Sequence, residues 1–299
     1  MLVAIIEILA SLGLFLFGML YLEERIKTAS GRSFKRMINN ATRTNIRSLS
    51  LGFTATAVFQ SSSVVSLMTL SLIGAGVLSL QNGIGIIFGS NIGTTVTSWI
   101  IALIGFKFDI QLIAYGVIAL GGIGSIMVKS ESIWKHYFGG MVGFGLIFLG
   151  LEGMKESFSF ISKGFDLTDY KELDLYLFFF VGIILTAIVQ SSSASIAIAQ
   201  SALFTQLISF DMAAFFIIGA NVGTTVTILL GSIGGSPDKK RAAAVHFLFN
   251  LSTAITALVL ISPLTKLTFL IISVNEPIIA LAMFHTIFNV LGVLLWFFW

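Results

Sequence analysis

The chain has 299 residues, of which 56% are hydrophobic and 10% charged, with a mean hydropathy of +1.00. So apolar a composition excludes a soluble domain of this length. The lack of cysteine excludes disulfides, thiolate metal sites and cysteine nucleophiles, and the net charge of +3 gives no reason to invoke nucleic acid, because the basic residues fall almost wholly between apolar runs.

A spanning helix needs about 20 apolar residues, and the first run, 2–22, has that length. It carries Glu7 and leads into further spans rather than a small-residue cleavage site, so it reads as a mature helix and not a signal peptide. Residues 23–47 read as a basic loop, an inside-topology signal with anionic lipid contact as a weaker addition. Two apolar segments follow, one interrupted by Gln60-Ser61-Ser62-Ser63 and one by Asn91-Ile92-Gly93-Thr94-Thr95, before a closing helix at 111–128. The order then recurs. A helix at 136–151 and an acidic loop at 153–174 precede a segment interrupted by Gln190-Ser191-Ser192-Ser193, a segment interrupted by Asn221-Val222-Gly223-Thr224-Thr225, and a closing helix at 242–262. A final helix at 278–299 ends in a Phe and Trp cluster, Trp296 to Trp299, that suits an interfacial anchor.

Both recurrences keep one register: Gln190 follows Gln60, and Asn221 follows Asn91, by 130 residues. Two matches at one offset define an internal repeat. The expected architecture is an all-α polytopic membrane protein with a first repeat at 1–128, a second at 133–262 and the final helix. Adjacent polar side chains facing lipid are costly, and non-helical backbone at membrane depth survives only where it lines a cavity or is buried in protein. Each Gln-Ser-Ser-Ser segment is therefore expected to be a re-entrant helical hairpin, and each Asn-x-Gly-Thr-Thr segment a broken transmembrane helix.

If the hairpins return to their side of entry and the other helices cross, twelve basic residues fall on one face and five on the other. The richer face is expected to be cytoplasmic. The corresponding loops 23–47 and 153–174 then lie on opposite faces, so the repeats are expected to be inverted.

Broken helices and hairpins offer helix N-termini, free carbonyls and side-chain oxygens, a ligand set for a small anion beside alkali cations. An oxyanion such as phosphate can be held by Ser61, Ser62, Ser63, Asn91, Ser191, Ser192, Ser193 and Asn221. Sodium suits Gln60, Thr94, Thr95, Gln190, Thr224 and Thr225. No Lys or Arg lies inside these motif segments, so a bound anion lacks a protein cation, and co-bound sodium can supply the neutralisation. His246 and Asn250, like His285 and Asn289, are four residues apart and share a helix face; a polar seam supporting the core is the plainer reading, with a ligand or proton-relay role as the sharper one.

The paired Gln-Ser-Ser-Ser and Asn-x-Gly-Thr-Thr strings, the stretch from Arg241 to Asn250, and His285-Thr286-Ile287-Phe288-Asn289 resemble the type II sodium-phosphate cotransporter family over nearly the whole chain. The resemblance implies sodium-driven symport of inorganic phosphate into the cell, substrate held between the two hairpins, a multi-pass protein of the cell membrane, a homodimer, and no organic cofactor or enzymatic activity. Bacterial relatives often add a soluble PhoU-like helical domain after the membrane core, and animal members carry a long glycosylated loop. Neither is present in this sequence, which suits a short prokaryotic member or a shortened chain. A carrier of another oxyanion or of an amino acid, a passive channel, and an intramembrane serine hydrolase using His246 or His285 remain as alternatives. Two equivalent serine triplets argue against the last, since a Ser-His dyad needs one activated serine.

Overall fold

The computed structural model describes residues 2–41, 44–106, 110–164 and 174–296. Among them there are thirteen α-helices and no strand. Seven helical stretches are long and apolar enough to cross a membrane, so this is a multi-pass membrane protein. The chain forms two compact units, each drawn from separate stretches of sequence: residues 1–36, 100–172 and 200–208 in one, and 37–99, 173–199 and 209–299 in the other.

In the first unit, α1 (Leu2–Ala41) packs on α6 (Ile133–Gly164) through small residues. A Cβ on Gly18 would lie 2.8 Å from the Gly143 carbonyl oxygen, and one on Gly150 2.6 Å from that of Ser11. Such contacts let backbones approach without side chains between them. α5 (Ile110–Met127) also lies along α6, where a Cβ on Gly121 would come 2.6 Å from the Phe138 carbonyl oxygen. Lys155 of α6 is ion-paired with Glu152 and lies 5.5 Å from the ring centre of Phe106 and 5.6 Å from that of Phe204.

Two sequence expectations are corrected here. Residues 23–41 are not loop but the continuation of α1, and 153–164 continue α6. Both stretches are rich in Glu, Lys, Arg and Met, strong helix formers that carry the backbone past the end of the apolar run. The rest of the expected acidic loop, 165–173, lies outside the described residues.

The second unit holds both motif regions. α2 (Asn45–Phe59) turns into α3 (Ser62–Gly74), and α7 (Leu175–Val189) turns into α8 (Ser192–Phe204). The matching helices are equal in length, 15 and 15 residues, then 13 and 13. At about 1.5 Å per residue these measure only ~20–22 Å, short of the ~30 Å hydrocarbon layer. α4 (Leu80–Ile104) lies against α2, and α9 (Phe210–Gly223) against α7, by one device. Gly89 of α4 abuts the Leu49 carbonyl and Gly93 abuts Thr56; Gly219 of α9 abuts the Phe179 carbonyl and Gly223 abuts Ile183 and Thr186.

A third expectation fails in the first copy. α4 runs unbroken through Asn91 to Thr95. In the second copy the interruption is confined to Thr224, between α9 and α10 (Thr225–Ser232), and Thr224 keeps right-handed dihedrals of φ −58 and ψ −28. The motif hydroxyls donate back along the helix, Thr94 to the Ser90 carbonyl at 3.1 Å and Thr95 to the Ile92 carbonyl at 2.8 Å, as do Thr224 and Thr225 in the second copy, so these bonds accompany both the continuous and the interrupted helix. The glycine is there for close packing and not for unwinding.

α11 (Pro237–Val259) and α13 (Pro277–Trp296) complete this unit, with the short α12 (Ile261–Ile271) between them. Trp296, expected as an anchor, is a packing residue: it meets Phe88 and Phe249 edge-on, and its indole N–H donates to Ser252 at 2.8 Å. Phe297 to Trp299 lie outside the described residues.

Candidate functional site

Each Gln-Ser-Ser-Ser string builds a helix end, a turn and a helix start within four residues. Gln60 caps α2 with φ 54 and ψ 24, and Gln190 caps α7 with φ 55 and ψ 25. This left-handed conformation usually falls to glycine. The next residue caps the outgoing helix: Ser61 Oγ accepts from the Val64 N–H at 3.3 Å, and Ser191 Oγ from the Ala194 N–H at 3.2 Å. Because those oxygens accept, their protons remain free to be donated outward. The hydroxyls of Ser62, Ser63, Ser192 and Ser193 make no hydrogen bond among the described residues, though Ser62, Ser192 and Ser193 are buried. Each turn therefore presents uncommitted O–H donors at the positive end of a helix dipole.

The threonines have the opposite polarity. Thr94, Thr95, Thr224 and Thr225 all donate to carbonyls three or four residues back, at 2.7–3.1 Å. Their oxygen lone pairs are left to accept, which suits a cation and not an anion. All four are buried. No Lys or Arg occurs between 48 and 106 or between 174 and 238, so no basic side chain from these segments reaches the motifs.

The two asparagines differ. Asn221 Nδ2 donates to Asn250 Oδ1 at 2.8 Å and to Asn289 Oδ1 at 3.3 Å. Asn250 and Asn289 each donate to the carbonyl four residues back, those of His246 and His285, at 2.9 Å. One polar seam thus ties α9, α11 and α13 together. Asn91 is equally buried, and its Nδ2 has no partner. The imidazole Nδ1 atoms of His246 and His285 are likewise buried and unpartnered.

Among the described residues no hydrogen bond links the first turn to the second. Within this unit α3 packs on α10 and α11, where Gly231 of α10 makes room for Leu67 and Leu70. Sequence reasoning passed over Thr97, whose Oγ1 donates to Gln60 Oε1 at 3.0 Å. The fixed offset places Thr227 in the same position of the second copy, a signal that was available.

Fold and site together define a multi-pass helical membrane protein with a duplicated polar turn between short apolar helices. The sequence profile described as Na+/Pi-cotransporter matches residues 14–156 and 174–298, and the chain belongs to that family. It is 29% identical to the uncharacterized protein YqeW of Bacillus subtilis, over 80% of this chain and 76% of that one. It is 23% identical to YjbB of Salmonella typhimurium, a protein named for inorganic phosphate export, over 88% of this chain but 48% of that one, so the chain spans about half of YjbB. A 97-residue stretch is 36% identical to the mouse sodium-dependent phosphate transport protein 2A, covering 32% of this chain and 15% of that protein. No solved structure matches the chain.

Proposed function

We propose that this chain is a secondary carrier that moves inorganic phosphate into the cell in symport with sodium. The supporting observation is the sorting of hydroxyl polarity. Serines at the starts of α3 and α8 hold protons free to donate to an anion, while the threonines of α4 and at the junction of α9 and α10 hold lone pairs free for a cation. In this reading phosphate is held by Ser61, Ser62, Ser63, Asn91, Ser191, Ser192, Ser193 and Asn221. Sodium is held by Gln60, Thr94, Thr95, Gln190, Thr224 and Thr225, with the His246, Asn250, His285 and Asn289 seam as support. The N–H groups of Asn221 serve the seam, so its side-chain oxygen meets phosphate by accepting from the anion's own P–OH hydrogen. A bare dianion in a low-dielectric site is very costly, so with no basic residue in either motif region the cation is the neutralising partner. Each ion then raises the affinity of the other by the same factor.

The short motif helices enter as re-entrant hairpins, one from each face, and the two repeats, 1–128 and 133–262, are inverted about the membrane plane. The site lies at the midplane between the hairpins. The protein works in the cell membrane as a homodimer and needs no organic cofactor. The relation to YjbB favours a second reading, outward movement of phosphate. Proteoliposomes loaded with and without sodium, and with labelled phosphate inside or outside, decide both points. Accumulation that needs an inward sodium gradient supports symport, net loss of internal phosphate supports export, and transport indifferent to sodium removes the coupling.

A further inference from the structure

The two turns share backbone dihedrals and differ in how the motif glutamine is held. Gln60 and Gln190 have the same left-handed dihedrals, and Thr97 and Thr227 stand at equivalent positions past the Asn-x-Gly-Thr-Thr strings. In the first copy the amide of Gln60 is held at both ends: Oε1 accepts from Thr97 at 3.0 Å, and Nε2 donates to the Ala57 carbonyl. In the second copy the side chain of Gln190 is exposed and makes no hydrogen bond among the described residues. The Thr227 hydroxyl is buried without a partner. The helices differ in the same place, since α4 is continuous at Thr94 whereas α9 and α10 are separated at Thr224, three residues before Thr227.

A buried hydroxyl without a partner is destabilising, and valine fills the same space without that penalty. Thr227 therefore works against the conformation seen here. We propose that Thr97 and Thr227 are positioning residues for the two motif glutamines, and that the Gln190–Thr227 bond, open in this structure, closes in a second conformation in which the Gln60–Thr97 bond opens. The two conformations are related by exchange of roles between the copies, the expected behaviour of a carrier built from an internal repeat. Held by threonine, the glutamine amide is fixed in orientation beside the serine turn; released, it swings away. This rests on the proposed carrier function in one respect, that the turns hold the substrate.

The test uses the full chain with Thr97→Val, Thr227→Val and Thr227→Ser. Thr97→Val should lower the melting temperature of the detergent-purified protein, and Thr227→Val should leave it unchanged or raise it. Turnover with Thr227→Val should fall on the order of tenfold, the worth of about one hydrogen bond, with little change in KM, and Thr227→Ser should restore it. A second readout does not involve transport. With Val189→Cys as the only thiol, alkylation beside Gln190 should speed up on adding Thr227→Val, which traps the open turn, and slow down on adding Thr97→Val, which releases the closed one. Equal shifts from both variants, or none, overturn the proposal. If the unmodified protein carries no phosphate, the carrier reading fails while the paired alkylation shifts still decide the exchange.

Discussion

Asn221 donates to the side-chain carbonyl of Asn250 at 2.8 Å, although the two residues come from different helices and are both buried. Replacing Asn250 by leucine keeps the volume but removes that acceptor and leaves an Asn221 N–H with only the longer bond to Asn289. The expected loss is about 1–3 kcal/mol, read as a lowered midpoint in thermal unfolding. Asn91→Leu should cost less, since the Nδ2 it removes has no partner. Equal losses would show that the seam carries no particular share of the stability.

Close helix contacts give a second contrast. A Cβ on Gly89 would run into the backbone of Leu49, which cannot move aside as a side-chain tip can. Gly89→Ala should destabilise by about 1–3 kcal/mol, and Gly219→Ala likewise, because its contact with Phe179 is the same. Gly116 of α5 has nothing within 4 Å of its would-be Cβ. Gly116→Ala should be neutral or stabilising by about 0.5–1 kcal/mol.

Topology can be read by single thiols, since the chain has no cysteine of its own. Ser130 and Asn275 are both exposed, in the connections after α5 and before α13. In the inverted arrangement an impermeant maleimide added outside intact cells should label Asn275→Cys and spare Ser130→Cys. Labelling of both from outside would refute that arrangement.

Coupling between the ions has its own signature. Gln60→Ala should weaken phosphate binding largely through sodium, so raising sodium should restore part of it. Ser192→Ala should lose about 1–3 kcal/mol at the anion with no such rescue. Calorimetric titration of phosphate across a sodium series separates the two, and affinity indifferent to sodium in the unmodified protein would defeat the neutralisation argument.

Much of the fold is visible in the sequence because hydrophobic runs and the 130-residue offset are properties of the chain itself. The spans begin near their expected positions, and both Gln-Ser-Ser-Ser strings are helix boundaries. Two things were hidden. A glycine among threonines can unwind a helix or let another helix touch it, and only the neighbours Phe53 and Thr56 decide for Gly93. Departures from symmetry were hidden too, because they depend on pairs of residues. Thr186 donates to Ser195 at 2.7 Å, yet its counterpart Thr56 keeps a buried hydroxyl without a partner, since Val65 stands at the position equivalent to Ser195. Repetition in sequence announces a common backbone, not common contacts.

The left-handed turns at Gln60 and Gln190 have a practical consequence. A side chain there is carried against the preference of the backbone, and glycine would relieve about 1 kcal/mol of local strain at each turn. Gln190→Gly, which gives up no side-chain hydrogen bond, should therefore insert and fold at least as well as the parent while lacking its amide, whereas at Gln60 the relief is offset by the lost bonds to Thr97 and Ala57. The Gln190 variant thus gives a well-folded reference protein, against which any leak of the reconstituted bilayer can be subtracted.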